Sequence, residues 1–164
     1  MPDGPLLTAA AEITTHTAEQ TEAIGAGIAV LLVAGDIVLL RGDLGAGKTT
    51  LVRGAARALG VEGPITSPTF TIANAYLGRM PVAHLDAWRL SDPDDEEIGL
   101  ALEAIGEDGV AFIEWPDSIA AGLPEPRVSV DIEHGGGDSR LLRMTGRDPG
   151  TDRSLGELVD NLRA

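Results

Sequence analysis

Hydrophobic residues form two short continuous runs in this chain, and other apolar segments follow a helical period. The runs lie at 37–40 and 110–113, and unbroken apolar stretches of this length are typical of buried parallel strands. After the first run, apolar residues recur at helical spacing over Thr50–Leu59, and Gly60 is placed to end that helix. The pattern therefore predicts a buried strand, a loop and a helix in succession.

Further helices are predicted on either side of this unit. Thr17 and Gln20 fit a capping box, which predicts a helix with one apolar face running up to Gly35. Ser91 is followed by a proline and a run of acidic residues, which predicts another helix start. Shorter elements are expected as a strand at 12–15, a helix at 117–121 and a packing helix at 151–164.

Two pairs of segments predict antiparallel hairpins. The first joins Phe70–Leu77 to Val82–Asp86, and the second joins Arg127–Glu133 to Ser139–Thr145 across a glycine-rich turn. The hairpins and the apolar runs together predict an α/β domain with a mixed sheet. We expect a single domain over 1–164, with residues 1–11 as a loose leader.

The loop after the first apolar run reads Gly-Asp-Leu-Gly-Ala-Gly-Lys-Thr at 42–49, which fits the phosphate-binding P-loop pattern. Its glycines permit backbone angles that other residues avoid, so successive N–H groups can turn toward a phosphate. Lys48, the only lysine in the chain, can bring a positive charge to the β- and γ-phosphates. The hydroxyl of Thr49 can ligate Mg²⁺. The fold class expected is therefore a P-loop NTPase-like mixed sheet, parallel around the P-loop and flanked by helices.

Charge and composition narrow the range of functions. A net charge of −14 disfavours independent binding of nucleic acid, because neutralising phosphates requires Lys and Arg. The chain has no cysteine, which excludes disulfides and thiolate metal sites and suits a reducing cytosol. The most apolar stretch is shorter than the roughly 20 residues that a membrane helix needs. We therefore expect a cytoplasmic protein that does not bind membranes.

A magnesium–nucleotide site needs a carboxylate at the end of a strand beside the P-loop strand. Glu114 ends the more apolar run and is the stronger candidate, while Asp86 ends a less apolar segment. Two acids could divide the work, one holding the metal while the other orients water. His84 is expected to be a hydrogen-bonded structural residue.

Two other groups of residues are candidates for the site. The loop with Ser67 and Thr69 is rich in hydroxyls and follows the P-loop helix, where many P-loop proteins place a γ-phosphate sensor. Trp88 and Trp115 follow the two acids closely. Packing near the site is the simpler interpretation for both, and stacking on a base or a partner is the more specific one.

Four motifs occur together in this chain: the P-loop at 42–50, Ser-Pro-Thr-Phe at 67–70, His-Leu-Asp-Ala-Trp-Arg-Leu at 84–90 and Ile-Glu-Trp-Pro at 113–116. In this order and spacing they resemble the bacterial TsaE (YjeE) family. The resemblance implies a small ATPase required for threonylcarbamoyladenosine modification of tRNA beside the anticodon. It implies TsaB and TsaD as partners, with TsaD as the transferase and tRNA reached only through that complex.

The resemblance also implies ATP and Mg²⁺ as cofactors and assigns roles by position. The phosphates would be bound by Asp43, Leu44, Gly45, Ala46, Gly47, Lys48, Thr49 and Thr50. Thr49 and Glu114 would hold Mg²⁺, and Lys48, Asp86 and Glu114 would be the catalytic residues, with Asp86 as a second acid that acts on water or on the metal shell. Ser67 and Thr69 would form a switch-like loop, and Trp115 would contact the base or a partner. Trp88 replaces the family's usual Tyr, which leaves any hydroxyl role there in doubt.

The residues alone leave two other functions open. A small nucleoside or metabolite kinase fits the P-loop and the size, although Arg140, Arg143 and Arg147 fall in or just after a predicted hairpin rather than in an obvious lid. A nucleotide switch that binds without hydrolysis also fits. The segment 16–19 is a candidate for contact with the adenine base.

Overall fold

The structure is a computed structural model that describes residues 9–43, 47–68, 73–87 and 95–164. Within these ranges, seven strands form one sheet with helices on both faces. In chain order the elements are β1 (Ala11–Thr15), α1 (Ala18–Leu31), β2 (Ile37–Arg41), α2 (Lys48–Ala58), β3 (Ala73–Leu77), β4 (Pro81–Asp86), α3 (Asp95–Ile105), β5 (Val110–Glu114), β6 (Val128–His134), β7 (Arg140–Gly146) and α4 (Pro149–Arg163).

The strand order is β1-β7-β6-β2-β5-β4-β3, which places the P-loop strand β2 at the centre of the sheet. β2 pairs in parallel with β5 and β6, and β4 pairs in parallel with β5. The remaining pairs are antiparallel, including both predicted hairpins. The predicted mixed α/β fold is therefore confirmed. The parallel arrangement brings the carboxyl ends of β2, β4, β5 and β6 to one edge, where ligands bind in open α/β sheets.

The central strands are buried on both faces because they separate two apolar layers. Val38, Leu40 and Phe112 face the layer that includes α1 and α2. Leu39 and Ile113 face the opposite layer, which includes the end of α3. Alternate residues of a strand point to opposite faces, so burial on both sides requires the unbroken apolar runs seen in the sequence.

Helices α1 and α2 pack with their backbones in close contact at two glycines. A Cβ added at Gly25 would lie 2.0 Å from the carbonyl oxygen of Leu51, and one added at Gly54 would lie 2.0 Å from that of Glu22. Any side chain at either position would therefore collide with the backbone of the other helix. This contact brings the start of α1 beside the start of α2, where the P-loop ends.

The observed element ends differ from the prediction in a few places. The Thr17 hydroxyl caps α1 as expected, but Gln20 Oε1 accepts from the N–H of His16, 2.6 Å away, rather than from that of Thr17. Ala11 belongs to β1, so the predicted leader is too long at its end. Helix α4 begins two residues earlier than predicted, because Asp148 caps it and Pro149 occupies its first turn.

Other predicted segments either differ from the observed elements or lie outside the described residues. The predicted helix at 117–121 is instead a pair of 3₁₀ turns, Pro116–Ser118 and Ala120–Gly122. Residues 1–8, the segment 69–72 and the predicted helix start at Ser91 lie outside the described residues. Among the helices described here, none combines the length and apolar character required to cross a membrane.

Candidate functional site

The candidate site lies where β2 ends and α2 begins. Gly47 caps α2 with a φ of 106°, a left-handed conformation that glycine adopts without steric cost. Lys48, Thr49 and Thr50 form the first turn of the helix, whose amide groups lack partners within the helix and favour anions. Leu44, Gly45 and Ala46 lie outside the described residues, so the described part of the loop consists of Gly42, Asp43 and the residues from Gly47 onward.

Lys48 is buried at the centre of this site, with 5% of its surface exposed. Its Nζ donates to the carbonyl oxygens of Gly42 and Asp43, at 2.5 and 3.1 Å. Burial lowers the pKa of Lys48 below 10.5, while the charges of Glu114, Asp86 and Asp43 oppose that shift. The lysine therefore lies within the electrostatic reach of both acids that the sequence singled out.

Trp115 covers this lysine from the end of β5. The Nζ of Lys48 lies 4.2 Å from the centre of the indole ring, which is cation–π geometry. Trp115 has a φ of 54°, which is unfavourable by roughly 1–2 kcal/mol for a residue with a side chain. The backbone N–H of Trp115 donates to the carbonyl oxygen of Leu40 at 3.1 Å, which attaches this turn to the P-loop strand. The structure thus places Trp115 in contact with the catalytic candidate Lys48.

The two acids end neighbouring strands at the same edge of the sheet. Glu114 lies opposite Leu40 in the pair of β2 with β5, and Asp86 lies opposite Glu114 in the pair of β4 with β5. Glu114 is 4% exposed. The strand of Glu114 therefore directly neighbours the P-loop strand, as the apolar pattern predicted, while that of Asp86 is one strand further away.

His84 belongs to this site, although sequence reasoning treated it only as a structural residue. It is fully buried, and its Nε2 is hydrogen-bonded to Oε2 of Glu114. His84 precedes Asp86 by two positions in β4, so both side chains point to the same face of the sheet. That spacing is the signal in the sequence that could have found it.

Arg140 is a second residue that the sequence did not assign to the site. A Cβ added at Gly47 would lie 3.5 Å from Nε of Arg140, so this side chain runs along the last glycine of the P-loop. Its Nη1 donates to the carbonyl oxygens of Gly137 and Ser139, both at 2.8 Å. A small cavity of about 40 Å³ opens here, lined by Ala18, Thr21, Gly47, Thr50, Asp138 and Arg140. The candidate adenine segment 16–19 therefore contributes to the wall beside the P-loop.

The family model described as Threonylcarbamoyl adenosine biosynthesis protein TsaE matches residues 15–142, which include every element around this site from α1 to the start of β7. The chain belongs to the TsaE family. Similar proteins include two called tRNA threonylcarbamoyladenosine biosynthesis protein TsaE. That of Streptomyces coelicolor is 45% identical over 130 residues, covering 75% of this chain and 88% of the relative. That of Bacillus subtilis is 39% identical over 132 residues, covering 80% and 82%.

The fold is also similar to a solved structure, the crystal structure of Bacillus subtilis YdiB. The TM-score is 0.71 at 34% sequence identity, and the match covers 92% of this chain and 95% of that chain. The resemblance of this chain to the TsaE family, read from its four motifs, is therefore confirmed. The P-loop NTPase-like fold class is confirmed with it.

The oxygen donors at the TsaE-family site fit a magnesium ion. The Thr49 hydroxyl and the Glu114 carboxylate are hard oxygen ligands, the kind that Mg²⁺ prefers. Among the described residues there is no group of three His, Asp or Glu side chains that could hold a metal by themselves. Mg²⁺ does not require such a cluster, because it is usually bound by one or two protein ligands together with substrate phosphates.

The remaining candidates are only partly described. Ser67 is half-buried, and the carbonyl oxygen of neighbouring Thr66 accepts hydrogen bonds from Asn74 and Tyr76, which attach this loop to β3. Thr69 and Trp88 lie outside the described residues. The switch-like loop therefore stays a prediction.

Proposed function

We propose that this chain binds ATP and Mg²⁺ at the P-loop, hydrolyses ATP slowly, and is required for threonylcarbamoyladenosine modification of tRNA. Membership of the TsaE family supports the role in threonylcarbamoyladenosine biosynthesis. One observation carries the chemistry: the buried Lys48, at the start of α2, lies against Trp115, the residue that directly follows Glu114 at the end of β5. A cation, a helix N-terminus and two acids at one edge of a parallel sheet suit phosphoryl chemistry.

Phosphate binding is assigned to the segment from Asp43 to Thr50. An ammonium group has three donors, and two of those of Lys48 are directed to the carbonyls of Gly42 and Asp43. A phosphate oxygen would take the third donor or replace one of these carbonyls. The amides at the start of α2 would bind the same phosphates, because they point along the helix axis toward them.

The acids would act on the metal and on water. Thr49 and Glu114 would hold Mg²⁺, which when bound neutralises charge on the phosphates and polarises the phosphoryl group. Asp86 would orient the attacking water and accept its proton. Trp115 would contact the base or a partner from its position over Lys48.

The proposed partners are TsaB and TsaD. The chain would act on their complex as an accessory ATPase that resets it between turnovers, while TsaD carries out the transfer. Its net charge of −14 supports contact with tRNA only through that complex, because an acidic surface repels the phosphate backbone. The absence of cysteine suits a reducing cytosol, and the acidic composition disfavours binding to anionic membranes.

The test is ATP hydrolysis by the purified chain, with and without the TsaB–TsaD pair. We expect slow hydrolysis alone, clear stimulation by the complex, and neither in the Lys48→Met variant, which lacks the ammonium group. A chain that neither bound ATP nor associated with the pair would contradict the proposal. Phosphorylation of a compound in a metabolite panel would favour the kinase instead, which the location of Arg140 and Arg143 in β7 rather than in a lid disfavours.

A further inference from the structure

His84 stands out as a fully buried polar residue whose hydrogen-bond partner is an acid of the proposed site. Its exposure is 0% and that of Glu114 is 4%. In the parallel pair of β4 with β5, Asp86 lies opposite Glu114 and His84 lies opposite Phe112. The imidazole ring therefore lies two residues further from the sheet edge than the acids, and its Nε2 is hydrogen-bonded to Oε2 of Glu114.

The two nitrogens of the ring have different surroundings. Nε2 is bonded to Glu114, whereas Nδ1 is buried with no hydrogen-bond partner among the described residues. A proton on Nδ1 would be a buried donor with no acceptor, which is costly. A carboxylate oxygen is an acceptor, so it requires the proton on the nitrogen that faces it. Both considerations select the tautomer that carries its proton on Nε2.

We propose that His84 is a positioning residue for the magnesium ligand Glu114. Its Nε2–H holds one carboxylate oxygen in place and leaves the second oxygen for the magnesium–nucleotide complex. A free glutamate side chain samples several rotamers, and fixing it before the metal arrives removes that entropy cost from binding. Replacing a residue that orients a metal ligand in this way commonly weakens metal affinity by about 10–100-fold. The inference rests on the proposed function for the identity of the ligand.

Two variants separate the hydrogen bond from the packing. In His84→Gln, the side-chain amide can place an N–H near the position of Nε2, and in His84→Leu an apolar side chain fills much of the space without a donor. ATP affinity is measured with Mg²⁺ and again with EDTA, and urea unfolding checks the fold. If the leucine variant does not fold, His84→Asn replaces it, because its shorter amide does not reach Glu114.

Mg²⁺ should raise the ATP affinity of the unmodified chain. In His84→Leu we expect this increase to be smaller by about tenfold or more, while the affinity measured in EDTA is unchanged. His84→Gln should retain most of that gain. In a Glu114→Gln background the His84→Leu change should have no further effect on the Mg²⁺ dependence, because the two residues act as a unit. Equal losses with and without Mg²⁺, or additive effects in the double variant, would show a purely structural role and overturn the proposal.

The tautomer is tested without any nucleotide. Nitrogen-15 spectra of the imidazole rings distinguish a protonated nitrogen from a bare one, and the signal missing in His84→Gln identifies His84 among the three histidines. We expect a protonated Nε2 and a bare Nδ1 in the unmodified chain. A bare Nε2 would overturn the positioning role even in a chain that binds ATP, because no N–H would then face Glu114. Failure of the unmodified chain to bind ATP would instead overturn the proposed function.

Discussion

The Nζ of Lys48 lies 4.2 Å from the centre of the Trp115 ring, so the P-loop lysine and the end of β5 are in direct contact. A cation over an indole face is stabilised by about 0.5–2 kcal/mol, depending on its exposure to water. A phosphate that attracts Lys48 would compete with the ring for the same charge. This geometry makes Trp115 a natural reporter of what occupies the P-loop.

The first prediction concerns fluorescence. In a Trp88→Phe variant, Trp115 is the only tryptophan, and adding ATP should change its emission because the charge beside the ring changes partner. In the matched Trp115→Phe variant, which keeps Trp88, the change should be absent or much smaller. A signal that persists in Trp115→Phe and disappears in Trp88→Phe would contradict this account.

The second prediction separates binding from hydrolysis. Glu114→Gln keeps the size of the side chain and removes the charge that would hold Mg²⁺, so hydrolysis should fall by about 100-fold or more while ATP binding persists through Lys48 and the α2 amides. Hydrolysis is measured by phosphate release, and Glu107→Gln, at an exposed acid, is the control. If tRNA modification survives in Glu114→Gln while hydrolysis is lost, the chain is a switch that acts by binding alone.

The third prediction concerns pH. Burial lowers the pKa of Lys48 below its unfolded value of 10.5. At a pH between the folded and the unfolded pKa, the unfolded chain therefore binds more protons than the folded chain. The free energy of unfolding should therefore rise with pH across that window relative to Lys48→Met, as urea unfolding at several pH values can measure. ATP affinity should fall over the same window, because the neutral amine no longer attracts phosphate. An affinity that stays constant up to pH 10.5 would exclude a charge role for Lys48.

The fourth prediction concerns Arg140, which runs beside Gly47 and the small cavity at the start of α1. Arg140→Ala should weaken ATP binding by about tenfold, as expected for the loss of one hydrogen bond to a charged group. Arg153→Ala is the control, since Arg153 is exposed on α4 and lies outside the candidate site. Isothermal titration measures the ATP affinity of both variants, and equal affinities would show that Arg140 does not contribute to ATP binding.

The fifth prediction concerns the packing of α1 on α2. Gly25→Ala places a Cβ 2.0 Å from the carbonyl oxygen of Leu51, so the helices must separate, at a cost of about 1–3 kcal/mol in the free energy of unfolding. Gly156→Ala, within α4, meets no atom within 4 Å and should stabilise the chain by about 0.5–1 kcal/mol. Urea unfolding compares them, and a neutral Gly25→Ala would show that the helices are not in contact there.

The sequence predicted this fold well where the information is local. A capping hydroxyl at Thr17, unbroken apolar runs and glycine-rich turns act within a few residues of themselves, so the strands and most helices fall close to their predicted places. Element ends were less accurate. Pairing with β7 includes Ala11 in β1, which no local signal indicates, whereas the cap at Asp148 followed by Pro149 is a local signal that the prediction of 151–164 missed.

The site was predicted only where a motif spans consecutive residues. The P-loop and the strand-end acids follow from spacing along the chain, and the structure places Lys48, Glu114 and Trp115 together at the sheet edge. His84 and Arg140 were not assigned to the site, because the site residues that they approach, Glu114 and Gly47, lie far away in the sequence. His84 reaches Glu114 across 30 positions, and only its spacing to Asp86 within β4 indicates that it belongs to the site.

The sequence by itself determined that a glycine-rich segment with the P-loop pattern joins a buried strand to a helix, since the pattern and the periods of strands and helices are local properties. Only the tertiary structure decided which side chains meet that loop. The order and register of the strands bring β5 beside β2 and β4 beside β5, and side-chain contacts across a sheet depend on that register rather than on distance along the chain.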